Sequence, residues 1–309
     1  MPSSAPLYDR AASAPPVPPG LPLVITLTGF TDAGGAVAQV IDHFRTDLEP
    51  SPVFVFSNDV LLDYRARRPI ISFDEDHLTD YQPSRLEFSL AHDALGQPFV
   101  LLAGYEPDFA WDAFAAAVLE IAALLEVSSV TWVHSIPMPV PHTRPVGTTV
   151  SGTRADLAEA HSVWRPQTQV PATVGHLLEY RFAAAGAKVA GFVLLVPHYL
   201  GDTEYPAAAL AGLDSLTVAT GLIFAGDRLR DENRDFLVKV QDQVGGSDDL
   251  TRMIEGLEER YDSYMAGSTR ATPIIHTGDL PSADELGAEL ERFLASRPSG
   301  EDDSRSGLG

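Results

Sequence analysis

The sequence predicts an α/β fold: a mostly parallel sheet covered by helices on both faces. Three observations carry that expectation. Apolar, β-rich runs at 23–28, 129–136 and 188–196 alternate with stretches of helical periodicity. The runs are nearly continuous in apolar residues, as strands buried on both faces are. The segment Leu23-Val24-Ile25-Thr26-Leu27-Thr28-Gly29-Phe30-Thr31-Asp32-Ala33-Gly34-Gly35-Ala36 reads as a buried strand, a tight glycine turn and the opening of a helix.

The elements follow in order. Strand 23–28 feeds a helix at about 33–46, with Asp32 placed to cap it. A strand covers 53–57, and 60–73 reads as an irregular strand or hairpin. Leu86, Phe88 and Leu90 alternate with polar residues, and the turn Asp93-Ala94-Leu95-Gly96-Gln97-Pro98 joins them to an apolar run at 99–104 as a hairpin. Asp108 is expected to cap a helix to about Glu126, with Phe114, Val118, Ile121 and Leu125 on its inner face. After strand 129–136 comes a Pro/Gly/Thr-rich loop, 137–153, longer than a simple connector needs. A helix at 173–185 ends at Gly186, and strand 188–196 ends at Pro197. Pro206 opens a helix to about 219. Two charged helices over 227–265 break at Gly245-Gly246, with Leu250, Ile254, Leu257 and Tyr261 as their apolar stripe, and a last short helix spans about 282–295.

The domain reading is a disordered Pro-rich tail at 1–20, an α/β core at 21–225, a helical appendage at 226–295 packed on that core, and a disordered tail at 296–309. The 309 residues are 45% hydrophobic and 21% charged, a soluble globular composition. The first 20 residues hold six prolines and no apolar core, so they are not read as a signal peptide. With no run of about 18 apolar residues to span a membrane, the cytoplasm is the expected location. There is no cysteine, which removes disulfides and thiolate chemistry. The net charge of −22 argues against nucleic acid and anionic membranes as partners, because phosphate neutralisation needs Lys and Arg.

Ligands in open α/β sheets bind beyond the carboxyl ends of the strands. Those ends deliver Asp32; Tyr105, Glu106 and Asp108; His134, with His142 and Arg144 beyond it; and His198, Tyr199 and Glu204. Were the protein an enzyme, His134, His142, His198 and Asp32 would be the acid–base candidates, with Arg144, Tyr199 and Glu204 as ligand-binding groups. Each also has a structural reading: Asp32 and Asp108 as helix caps, His134 as a core histidine, Arg144 as the partner of a neighbouring acid. No phosphate loop, dinucleotide fingerprint, zinc helix or nucleophile elbow occurs. The nine histidines show no metal spacing, and no cofactor or metal is expected.

Several segments together resemble the bacterial branch of the type-2 proteasome assembly chaperone family. They are Gly29-Phe30-Thr31-Asp32-Ala33-Gly34, Asp63-Tyr64-Arg65-Ala66-Arg67-Arg68-Pro69, Pro141-His142-Thr143-Arg144-Pro145, Val196-Pro197-His198-Tyr199-Leu200, and Leu257-Glu258 with Tyr261-Asp262. The Arg- and Ala-rich composition suits an actinobacterial member. The resemblance implies a core like that of purine nucleoside phosphorylases and related hydrolases, a homo-oligomer such as a trimer, and a protein partner such as proteasome core subunits or another complex. Archaeal relatives dock through a hydrophobic-Tyr-any tail; here Leu308 stands at the tyrosine position, so docking of that kind is not expected. Two functions follow: a non-enzymatic assembly chaperone or interaction scaffold, and, as its rival, a hydrolase or phosphorylase-like enzyme acting on a small anionic or nucleoside-like molecule.

Overall fold

In a computed structural model of the chain, residues 6–165 and 167–267 are described. Among these residues ten strands and eight helices follow one another. They are β1 (Tyr8–Arg10), β2 (Pro22–Thr28), α1 (Ala36–Asp47), β3 (Ser51–Phe56), α2 (Asn58–Leu61), β4 (Ile70–Asp74), β5 (His77–Gln82), β6 (Leu86–His92), β7 (Pro98–Tyr105), α3 (Trp111–Leu124), β8 (Ser129–Met138), β9 (Gly147–Gly152), α4 (Ala155–His161), α5 (Val174–Ala184), β10 (Val189–Pro197), α6 (Pro206–Thr220), α7 (Asp227–Gly245) and α8 (Asp248–Gly267).

Eight strands form one sheet in the order β1-β3-β6-β7-β2-β8-β10-β9. Its centre, β7-β2-β8-β10, is parallel. Antiparallel strands extend both sides: the β6–β7 hairpin, then β3 and β1 at one edge, and β9 at the other. The central strands are buried along nearly their whole length, which explains their unbroken apolar runs. Two cores result. On the α3/α5 face, Phe56, Phe88, Phe114, Trp132 and Phe182 pack together, with Phe56 and Phe114 ring centroids 4.8 Å apart. On the α1/α6 face, Phe44, Phe99, Phe192, Leu213 and Phe224 do so, with Phe44 and Phe224 5.1 Å apart. Gly104 lets β7 press on β6: its φ is +148° and a Cβ there would lie 2.2 Å from the Arg85 carbonyl oxygen.

Four sequence expectations change. The segment 1–20 is not a disordered tail over its described part, because Tyr8–Arg10 pairs with Phe54–Phe56 as an edge strand. The Tyr8 ring stands edge-on to Phe54 at 5.6 Å, an anchor sitting between the prolines. The loop 137–153 contains β9, whose Thr148, Thr149 and Val150 pair with β10. Asp108 does not cap α3; Ala110, with φ +56°, precedes the helix. Of the irregular strand or hairpin read over 60–73, the hairpin is what forms, displaced to residues 70–82 as the separate pair β4–β5. The short helix expected at 282–295 and the tail at 296–309 lie outside the described residues. Among the described residues, no helix is long and apolar enough to cross a membrane.

Candidate functional site

The carboxyl ends of β2, β7, β8 and β10 gather the candidate residues, and side-chain alternation along β8 then separates them. Ser135 points towards α1 and donates from Oγ to Asp32 Oδ1 at 3.0 Å. Asp32 also accepts the Val37 and Ala38 amides at 2.8 and 2.9 Å, so it caps α1 across an intervening turn of 3₁₀ helix at Ala33–Gly35. Burial raises its pKa, and these three bonds pull it back.

His134, one residue earlier, faces the other side of the sheet. Its ring lies 6.2 Å from Trp132 and 6.0 Å from His176, and its Nε2 is 3.5 Å from Thr31 Oγ1. Burial, with a smaller contribution from His176, pushes its pKa down to about 4, so the ring is neutral at pH 7. His134 lines a crevice with Gly29, Glu106, Trp132, Thr173 and Gly175 that has room for about one water molecule.

Glu106 closes this crevice. Its Oε1 accepts the Val174 amide at 2.5 Å, at the start of α5, and its Oε2 accepts the Phe30 amide at 3.1 Å. One buried carboxylate thus ties the β2 turn, the end of β7 and α5 together. Gly29 makes room for it, since a Cβ there would meet Glu106 Oε2 at 2.7 Å. Sequence reasoning placed Glu106 at a strand end without giving it a role. It missed His176, which completes a capping box with Thr173. The usual signal is Glu or Gln at that third helical position, and here a histidine ring takes the place.

His142, Arg144 and Tyr199 form a second group, which Arg144 ties to α8. The His142 amide donates to Tyr199 Oη at 2.8 Å, and His142 Nδ1 lies 2.7 Å from the same oxygen. Burial lowers the His142 pKa and pushes that of Tyr199 up to about 12. Arg144 grips α8 with a fork: Nε to Asp262 Oδ1 at 2.9 Å and Nη2 to Oδ2 at 2.6 Å, with Glu258 at 3.4 Å from Nη1. Thr143 donates to the same Glu258. Tyr264 adds a bond to the Val163 carbonyl at 2.6 Å. His198 is exposed and edge-on to the Tyr199 ring at 5.4 Å. Glu204 is exposed in the loop before α6. Among the described residues, no three His, Asp or Glu side chains are placed to hold a metal ion.

The Asp63–Pro69 segment is tied down in a similar way. Asp108 accepts the Asp63 amide at 2.7 Å and pairs with Arg67, whose guanidinium lies 5.4 Å from the Tyr105 ring centre. Loss of the Arg144 fork has a direct readout. Arg144→Ala is expected to strip amide-exchange protection from α8 while the sheet keeps its own. High salt should weaken the same protection in the native chain, because the pairs are partly exposed. Unchanged α8 protection in both experiments would show that Tyr264 and the apolar stripe suffice to hold the helix.

The chain's relatives share this architecture. The PAC2 family model matches residues 26–244. A protein of unknown function from Mycobacterium tuberculosis is 36% identical, with a TM-score of 0.79, over 86% of this chain and 94% of that one. A protein of unknown function from Corynebacterium glutamicum is 30% identical, with a TM-score of 0.80, over 84% of this chain and 98% of that one. A proteasome-assembly chaperone homologue from Mycobacterium tuberculosis is 20% identical and shares the fold, with a TM-score of 0.68, over 76% of this chain and all of that one (100%). No curated protein matches the chain.

Proposed function

The chain belongs to the PAC2 family, and on that premise we propose that it is a non-enzymatic assembly factor, working in the cytoplasm as a homo-oligomer that holds a protein partner. The role named for the 20% identical relative, proteasome assembly, supplies the kind of partner to test first.

One observation supports this reading above the others: the polar groups at the strand ends are engaged with one another. Asp32 is a cap, Arg144 is clamped to α8, and His142 is held by Tyr199. His134 sits neutral on the opposite side of the sheet from Asp32. An acid–base mechanism needs its groups within hydrogen-bond reach of one reacting atom. These groups instead lock together the segments in which the chain resembles its family.

The β4–β5 hairpin supports the oligomer. Among the described residues it pairs with no other strand, yet Phe73 and Leu78, directly opposite each other, are 72% and 60% exposed. Ile70, Ile71 and Tyr81 are exposed beside them. A two-stranded hairpin is marginal in water without a surface to pack on. A second copy of the chain is the proposed cover.

The test is sedimentation of the full chain together with a tagged pull-down from native cytoplasm. The wild type is expected to sediment as an oligomer and to capture stoichiometric proteasome core subunits or their precursors. Phe73→Asp with Leu78→Asp is expected to give a folded monomer. A wild-type monomer that captures nothing would overturn the proposal. Saturable binding of a small anionic or nucleoside-like molecule would favour the enzymatic alternative.

A further inference from the structure

The seam between α1 and α7 holds a buried histidine among partly exposed charges that the assembly reading does not use. His43 lies on the inner face of α1 and is 1% exposed. Its Nδ1 is 2.6 Å from Asp47 Oδ2, a contact by distance that lacks the direction of a hydrogen bond. Arg228, in the first turn of α7, reaches the same carboxylate at 3.9 Å, Asp42 at 3.1 Å and its own helix's Glu232 at 3.2 Å. Asp47 therefore stands between an imidazole of its own helix and a guanidinium of α7. Among the described residues, both His43 ring nitrogens, Arg228 Nε and Asn233 Oδ1 are buried without a hydrogen-bond partner.

The rest of α7 packs against α6, Phe236 meeting the Tyr205 ring at 5.5 Å, and its own apolar cover is small. Of its 19 residues, Leu229 and Val240 are buried, and Phe236, Leu237 and Val244 are partly buried. An element with so little apolar cover opens before the sheet does.

We infer that the His43 cluster is a proton-sensitive catch: a proton taken up at His43 loosens α7 from α1. The neutral ring is tolerated in the seam beside Phe44, 6.0 Å away. A charged ring there would carry a second N–H with no acceptor and would stand next to the Arg228 cation. Asp42 and Asp47 pull the other way, favouring the proton. Burial outweighs them, and the ring titrates below its ordinary value. Acidification therefore puts on the ring a second N–H that the closed seam leaves without an acceptor, and opening the seam is the relief.

The test is hydrogen exchange of the full chain at pH 7.5 and 5.5, corrected for the intrinsic exchange rate. In the wild type, amides 229–245 are expected to lose about tenfold in protection at the lower pH, while β2 and β7 keep theirs. In His43→Gln, α7 protection should be equal at both values. Wild-type α7 protection that does not change, or an equal loss in His43→Gln, would overturn the inference. Asp47→Asn gives an independent reading should His43→Gln fail to fold. Without the carboxylate that favours the proton, the closed ring refuses it to lower pH, so in a series from pH 7.5 to 4 the loss should run on below the pH at which it ends in the wild type, and a loss that ends at the wild-type pH would sink the idea.

Discussion

Glu106→Ala is expected to destabilise the fold by roughly 1–3 kcal/mol, the cost of stranding the buried Val174 amide without an acceptor, while the amide of the exposed Phe30 turns to water. Those amides belong to Phe30, in the turn after β2, and to Val174, at the start of α5. The loss should appear as a lower denaturation midpoint in urea. It should also appear as early exchange at the start of α5 and in the Gly29–Thr31 turn. Glu106→Gln keeps one carbonyl oxygen, so it should lose about half as much. A Glu106→Ala midpoint equal to wild type would mean that water fills the vacated space and serves the Val174 amide.

Acid is expected to take about 3 kcal/mol of stability through His134 alone. The unfolded ring takes a proton near its ordinary value of 6.5, while the folded ring refuses one until about 4. The unfolded state therefore binds more protons in between. This contribution is complete above 6.5 and is lost as pH falls to 4. His43, His142 and His176 are depressed by burial as well and steepen the same limb. Denaturant unfolding across this range checks the sign. His134→Gln should flatten the limb by about the stated amount, and a limb of unchanged slope would assign the acid sensitivity elsewhere.

The central architecture was legible because its signals are local. Strands β2, β8 and β10 are apolar throughout, α3 carries its stripe at helical spacing, and Gly186 and Gly245-Gly246 mark real breaks. What escaped is set by distant partners. β9 is written in Gly, Thr and Ser, and becomes a strand because β10 offers it an edge. β1 is a strand of three residues whose cause is a ring contact to Phe54. The site behaves likewise. Asp32 was readable as a cap, since its helix follows in sequence. The Arg144 fork was not, because its acceptors lie 114 to 118 residues further along. His134 and Ser135 are neighbours in sequence and end on opposite sides of the sheet, so a list of strand-end residues overstated how many would meet.

Strand order also bears on how the chain is made. β2 leaves the ribosome early, yet it sits in the middle of the sheet: Leu23 pairs with Val100 on one side and with Val130 on the other. Its apolar residues have no strand to pair with until β7 and β8 have been synthesised. During translation this stretch is a sticky, unshielded ribbon waiting for late-arriving neighbours, the condition in which nascent chains aggregate. A helper of assembly would itself depend on being sheltered while it is born.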